Sequence, residues 1–159
     1  MDPLLHLLRH DALASREDLA AQLNVSADEV NKKITDYEAS GVILGYSTVI
    51  DTEKVGDQFV TAVIEVKMTP EREGGFDRLA NRIAQFSQVQ GCYLMSGGYD
   101  LLVIVDGRSL REVASFVSEK LSSLEGVIAT ATHFRLKTYK ENGATLARSE
   151  TPGRLAVSP

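Results

Sequence analysis

Lys32 and Lys33 stand side by side in the stretch SADEVNKKITDYEASGVI, Ser26 to Ile43. A lysine ammonium is a compact point charge that can neutralise a phosphate of a polyanion. The same stretch carries Asp28, Glu29, Asp36 and Glu38. Over Met1 to Gly45 the basic side chains Arg9, Arg16, Lys32 and Lys33 face the acids Asp2, Asp11, Glu17, Asp18, Asp28, Glu29, Asp36 and Glu38. A head so poor in cations should grip phosphate weakly and with a shallow salt dependence, unless several heads act at once. Asp28 and Glu29 lie at an expected helix start, where carboxylates stabilise the helix and need not oppose a contact. The plain alternative for the lysine pair is a solvated helix face.

A second stretch, MSGGYDLL, Met95 to Leu102, offers different chemistry. Gly97 and Gly98 permit positive φ and expose backbone amides, which can hold a carboxylate without a side-chain cation. Asp100 could accept from an ammonium group, while Tyr99 and Met95 could shape a side-chain pocket. A tight hairpin that needs glycine for geometry alone explains the same residues. His6 and His10 are four apart, a spacing that can clamp a metal, yet neither a third ligand nor a general base is suggested nearby, and His133 is remote in sequence. No Walker loop, GxSxG elbow, dinucleotide fingerprint or CxxC occurs, so catalytic residues, metal and cofactor are all expected to be absent.

The chain has 159 residues, 43% hydrophobic and 25% charged, the composition of an ordinary globular protein. A formal charge of -5 argues against nonspecific coating of nucleic acid, although a local basic patch can act within an acidic protein. The start MDPLLHLLRHD does not fit a signal peptide and no long apolar run occurs, so a cytoplasmic chain without a membrane segment is expected. The single cysteine, Cys92, falls in an apolar run and reads as a small buried hydrophobe.

The elements that must position these residues follow from periodicity. Pro3 to Arg9 is an apolar helical segment. Ser15 and Asp18 signal a helix in SREDLAAQL with Leu19, Ala20 and Leu23 inward, and Ser26 with Glu29 opens a third helix that buries Val30, Ile34 and Tyr37, with Gly41 closing it. Two helices joined by a brief turn can hold one helix out against a groove, although a small bundle that touches no nucleic acid has the same pattern. VILGYSTVID is strand-like, and DTEKVGDQ is a polar connection. The order then reads strand 59–68, helix 74–87, strand 90–96, strand 100–106, helix 109–124, strand 127–139, a βαββαβ ferredoxin-like pattern. Apolar residues fall on both faces of the first and third of these strands, so the second sheet face is expected to be covered, most simply by another copy of the chain. The tail from Glu141 has the composition of a flexible end.

These ordered motifs, namely the helix-turn-helix, ASGVILGYSTVID, DTEKVG, the hairpin SGGYDLLV and LEGV before the last strand, make the chain resemble the Lrp/AsnC family of feast/famine transcriptional regulators over roughly Leu4 to Lys140. The resemblance implies an α+β fold in which a helix-turn-helix, winged-helix-like DNA-binding domain (1–50) and a hinge (51–58) precede a ferredoxin-like effector-binding and oligomerisation domain (59–140), with a tail (141–159). It implies DNA and an amino acid or similar small effector as partners, and a homodimer that can assemble into an octamer. By this resemblance Ser26, Asn31, Lys32, Lys33 and Thr35 are the candidate DNA contacts. Met95, Ser96, Gly97, Gly98, Tyr99 and Asp100 are the candidate effector contacts, with Thr130 and Thr132 as weaker ones. The family pattern has paired arginines where Lys32 and Lys33 stand, and lysine lacks the fork that reads guanine. Two alternatives therefore accompany the resemblance: an effector-sensing oligomer that no longer reads DNA, and a relative of the tetrapyrrole-pathway decarboxylases, which would need histidines and arginines that are scarce here.

Overall fold

The structure, a computed structural model, describes residues 1–56, 59–70 and 75–146. The chain divides into two compact units, Met1–Thr48 and the residues from Val49 onward. In the first unit α1 (Pro3–His10), α2 (Arg16–Leu23) and α3 (Ala27–Ala39) enclose a core of Leu4, Leu8, Leu19, Ala20, Val30 and Ile34. Each helix begins on a side-chain cap. Asp2 accepts from Leu4 N–H, Ser15 from Asp18 N–H, and Ser26 and Glu29 form a complete capping box. Between α2 and α3 the chain turns through Asn24 in the left-handed region, and past α3 Gly41 takes φ +72°, the C′ conformation that glycine adopts at least cost.

The second unit opens on a single helical turn, α4 (Thr52–Val55), capped by Asp51 and closed by Gly56 at φ +74°, where the sequence suggested only a polar connection. Its body is β1 (Val60–Met68), α5 (Asp77–Ala84), β2 (Val89–Leu94), β3 (Leu101–Gly107), α6 (Leu110–Ser115) continued by a π-helical turn (Phe116–Leu121), and β4 (Val127–Phe134). The four strands form one antiparallel sheet in the order β2-β3-β1-β4, the ferredoxin-like arrangement. Ala62, Ile64, Val66 and Met68 of β1 and Leu101, Val103 and Val105 of β3 pack against Leu79 and Ile83 of α5 and against Val113, Phe116 and Leu121. Both helices therefore cover one face. The opposite face carries Val63, Leu102 and Ile104, all half-buried, and Tyr93, 52% exposed, with His133 Nε2 3.5 Å from Glu65 Oε1 beside them.

Three sequence expectations are corrected. VILGYSTVID is not a strand: Leu44 to Ile50 has no regular structure, and Leu44 is 94% exposed. Alternating apolar residues make a strand only where a ladder partner exists, and no described segment of the chain offers one here. The last long strand stops at Phe134 and not at Tyr139, because the β1 ladder that templates it ends at the pair Ala62 and Phe134. The expected flexible end begins with structure: β5 (Lys140–Glu141) and β6 (Ala144–Thr145) form a small hairpin about Asn142 and Gly143, whose φ values are +44° and +89°. The rest of the tail, from 147, lies outside the described residues, as do positions 57–58 of the expected hinge.

Candidate nucleic-acid interface and glycine hairpin

Helix α3 turns Val30 and Ile34 inward, and this sets which residues face solvent: Asp28, Asn31, Lys32, Thr35 and Asp36 are all exposed. Four of the five candidate contacts already have partners inside the unit. Ser26 is occupied by the capping box, its Oγ donating to Glu29 Oε2 at 2.8 Å and accepting from Glu29 N–H at 3.2 Å. Thr35 Oγ1 donates back to the carbonyl of Asn31 at 3.0 Å. Asn31 Oδ1 accepts from Arg16 Nε at 3.4 Å, which couples α2 to α3. Lys33 Nζ lies 3.0 Å from Asp2 Oδ2 at the cap of α1. Lys32 alone makes no side-chain bond or ion pair among the described residues, and Asp28 and Asp36 flank it one turn away on either side.

The electrostatics follow these contacts. The Lys33 ammonium, and after it Leu4 N–H, holds the Asp2 carboxyl below its ordinary range, and Asp2 in turn raises Lys33. Ser26 lowers Glu29 through the capping bonds. Tyr46 donates to Glu38 Oε1 at 2.8 Å and is itself raised by that bond, so the Glu38 carboxylate is engaged at the end of α3. Arg16 and Asp2 are the residues that sequence reasoning did not single out. Arg16 was counted only as a charge, and a lysine-aspartate contact 31 positions apart has no local signature.

In the second unit the hairpin between β2 and β3 closes with Met95 N–H donating to Asp100 O at 2.8 Å and Asp100 N–H donating to Val66 O at 3.0 Å. Among the described residues no backbone bond occupies the amides of Gly97, Gly98 and Tyr99. Gly97 takes φ +143°, Gly98 does not enter the positive region, and an added Cβ at either would meet nothing within 4 Å. Met95, Ser96, Gly97 and Gly98 are exposed and Tyr99 is half-buried, so the structure brings these five together at an open tip. Asp100 points inward, its Oδ2 accepting from Met68 N–H at 2.7 Å. Thr130 and Thr132 do not join the tip. They lie on β4, with β1 between them and β3, on the helix-covered face, where Thr130 Oγ1 is 3.3 Å from Ser122 Oγ.

His6 and His10 stack with ring centroids 4.8 Å apart on α1, and among the described residues no group of three His, Cys, Asp or Glu side chains could hold a metal. A cleft of about 180 Å³ beside the start of β1 is lined by Asp51, Phe59, Thr61, Arg135 and Lys137 among others. Arg135 is braced there, donating to Thr61 Oγ1 at 2.8 Å and pairing with Glu141 at 3.1 Å, while Thr61 donates to Asp106 at 2.7 Å. Among the described residues no helix is long and apolar enough to cross a membrane.

Comparison with known proteins adds a wider frame. Residues 61–145 match the family model described as the Lrp/AsnC ligand binding domain. The HTH-type transcriptional regulator YugG of Bacillus subtilis is 44% identical over 157 residues, spanning 98% of this chain and 95% of that one. Among solved structures, MtbAldR superposes with a TM-score of 0.74 at 24% identity, covering 91% of this chain and 99% of its own. A transcriptional regulator of Neisseria meningitidis, solved in complex with L-Met, superposes with a TM-score of 0.69 at 20% identity over 92% of this chain and 96% of that one. At these identities the two structures speak for the fold.

Proposed function

The chain belongs to the Lrp/AsnC family and is a transcriptional regulator of the HTH type, and from that premise we propose that it works as a homo-oligomer, with α3 presented to DNA and a small effector, an amino acid or a similar carboxylate, held at the glycine hairpin. The observation that carries this reading is a sheet whose own two helices, α5 and α6, both pack on the same face. The outer face offers Val63, Leu102, Ile104 and Tyr93, a surface suited to a second copy, and a dimer presents two reading heads at once. Multiplicity is what so acidic a head requires, because linked weak sites gain effective concentration. Residues 1–50 act as the DNA-binding domain, 51–58 as the hinge and 59–140 as the effector and assembly domain. The octamer is the larger assembly of such dimers. The open amides at Gly97, Gly98 and Tyr99 supply donors for a carboxylate, and Met95 and Tyr99 flank them. The Neisseria regulator, with its bound L-Met, is a precedent for an amino-acid ligand on this fold. The curated relative YugG is a regulator, which favours a non-enzymatic role in the cytoplasm.

The test is a retardation assay on DNA upstream of the protein's own coding sequence, run beside a thermal-shift screen of the amino acids. An amino acid that raises Tm and alters retardation is the expected result. Changing Lys32 and Lys33 together to alanine should abolish retardation. Absence of retardation by the wild-type protein at low salt would favour the effector-sensing oligomer that no longer reads DNA, a reading prompted by the occupied contacts of α3.

A further inference from the structure

We infer that Asp2 sets the electrostatic part of DNA binding by competing with a backbone phosphate for the ammonium of Lys33, an inference that rests on the DNA-binding reading above. The two oxygens of Asp2 have separate tasks. Oδ1 accepts from Leu4 N–H at 2.8 Å and so fixes the carboxylate at the start of α1. Oδ2 then lies 3.0 Å from Lys33 Nζ on α3. The carboxylate is thus anchored independently of the lysine, and an anionic oxygen occupies the place beside Lys33 that a phosphate oxygen would take.

Lys33 keeps 57% of its side chain exposed, so a phosphate can reach it, and an ammonium has three protons to offer. The charge of Asp2 nevertheless travels with it to the DNA. Counterion release counts neutralised phosphates, and a lysine already neutralised by its own chain adds little to that count. Lys32, with no ion-pair partner among the described residues, is left as the lysine of α3 that contributes in full. The weakness suggested by the acid count thereby gains a location: one carboxylate at one helix cap, acting on one lysine.

Asp2→Asn removes the charge and keeps an oxygen for the cap, since asparagine is as good at that position as aspartate. The experiment compares four full-length proteins, wild type, Asp2→Asn, Lys33→Gln and the double variant, on a random-sequence duplex over a range of salt, with Tm and circular dichroism verifying the fold of each. Asp2→Asn is expected to tighten binding several-fold at low salt and to steepen the slope of log K against log salt by about 0.9 per reading head, and this gain should vanish in the Lys33→Gln background. A merely structural role for Asp2 would not move the slope. Equal or weaker binding by Asp2→Asn overturns the inference, as does a gain of the same size in both backgrounds, which would be a general charge effect. If none of the four proteins retards the duplex at low salt, the DNA-binding reading fails and takes the inference with it.

Discussion

The carboxylate of Asp100 accepts the backbone N–H of Met68 at 2.7 Å, joining the glycine hairpin to the end of β1. Pairing between β1 and β3 ends at Val66 and Leu101, which leaves Met68 N–H beyond the ladder, and Asp100 supplies the missing acceptor. Asp100→Ala should therefore lower the free energy of unfolding by about 1–3 kcal/mol in urea melts, the cost of an orphaned part-buried donor. Asp100→Asn, which keeps an acceptor, should lose much less. If the asparagine variant instead kept its stability and lost all response to effector, an ammonium-binding role for the charge would take precedence.

Thr61 is the polar residue most fully buried in the described sheet, and its hydroxyl links Asp106 on β3 with Arg135 after β4. Thr61→Val keeps the shape, takes the hydroxyl donor from Asp106 and leaves Arg135 with Glu141 as its partner. A loss of about 1–3 kcal/mol is expected by chemical denaturation, and a loss within error would show that water replaces the hydroxyl.

Gly107 ends β3 under α6, and a Cβ there would lie 2.8 Å from Val113 Cγ2, a side chain that is itself buried. Gly107→Ala is expected to destabilise by about 1–3 kcal/mol through overpacking. Gly91 has an equally short approach to the Tyr93 ring, but that ring is half exposed and can swing away, so Gly91→Ala should cost less. Reversal of that order in paired thermal melts would contradict the packing described for α6.

Leu102 and Ile104 share with Val63 the sheet face opposite α5 and α6. Leu102→Asp should leave the core of the unit intact and lower the assembly state in sedimentation velocity, with DNA retardation falling in step. A wild-type protein that sediments as a monomer at working concentrations would remove the oligomer from the proposed function.

The Asp2 and Lys33 pair gives stability a defined pH window. Lys33 holds the Asp2 carboxyl below its ordinary range, so its contribution is present above the unfolded value of 3.8 and is lost as pH falls through the lower folded value. Lys33 is raised by Asp2, so its share is complete below 10.5 and disappears as pH rises through the higher folded value. Wild type should therefore melt slightly above Asp2→Asn between roughly pH 4 and pH 10 and converge with it at lower pH. Coincident melting curves at neutral pH would show the pair to be without weight in solution.

Much of the fold was legible because it is written locally. The capping residues Ser15, Ser26 and Ser109 each mark a helix start, and the alternation of Ala62, Ile64, Val66 and Met68 marks the buried face of β1. The segment after Gly41 misled because alternation gives no information about whether a partner strand exists. The site was less legible for a related reason. Residue types placed Lys33, Asn31 and Asp100 among the candidates, but their partners Asp2, Arg16 and Met68 lie 31, 15 and 32 positions away, and only the packed chain brings such pairs together.

Cys92 sits on the helix-facing side of the edge strand β2, half-buried, with its Sγ 3.8 Å from the carbonyl of Ala80. It is the one sulfhydryl in the sequence, and burial pushes its thiol up. The molecule thus contains its own stopwatch for the fraying of that border: alkylation by a water-soluble reagent should wait on β2 lifting from α5, and any ligand that tightens the adjoining glycine tip should slow the clock.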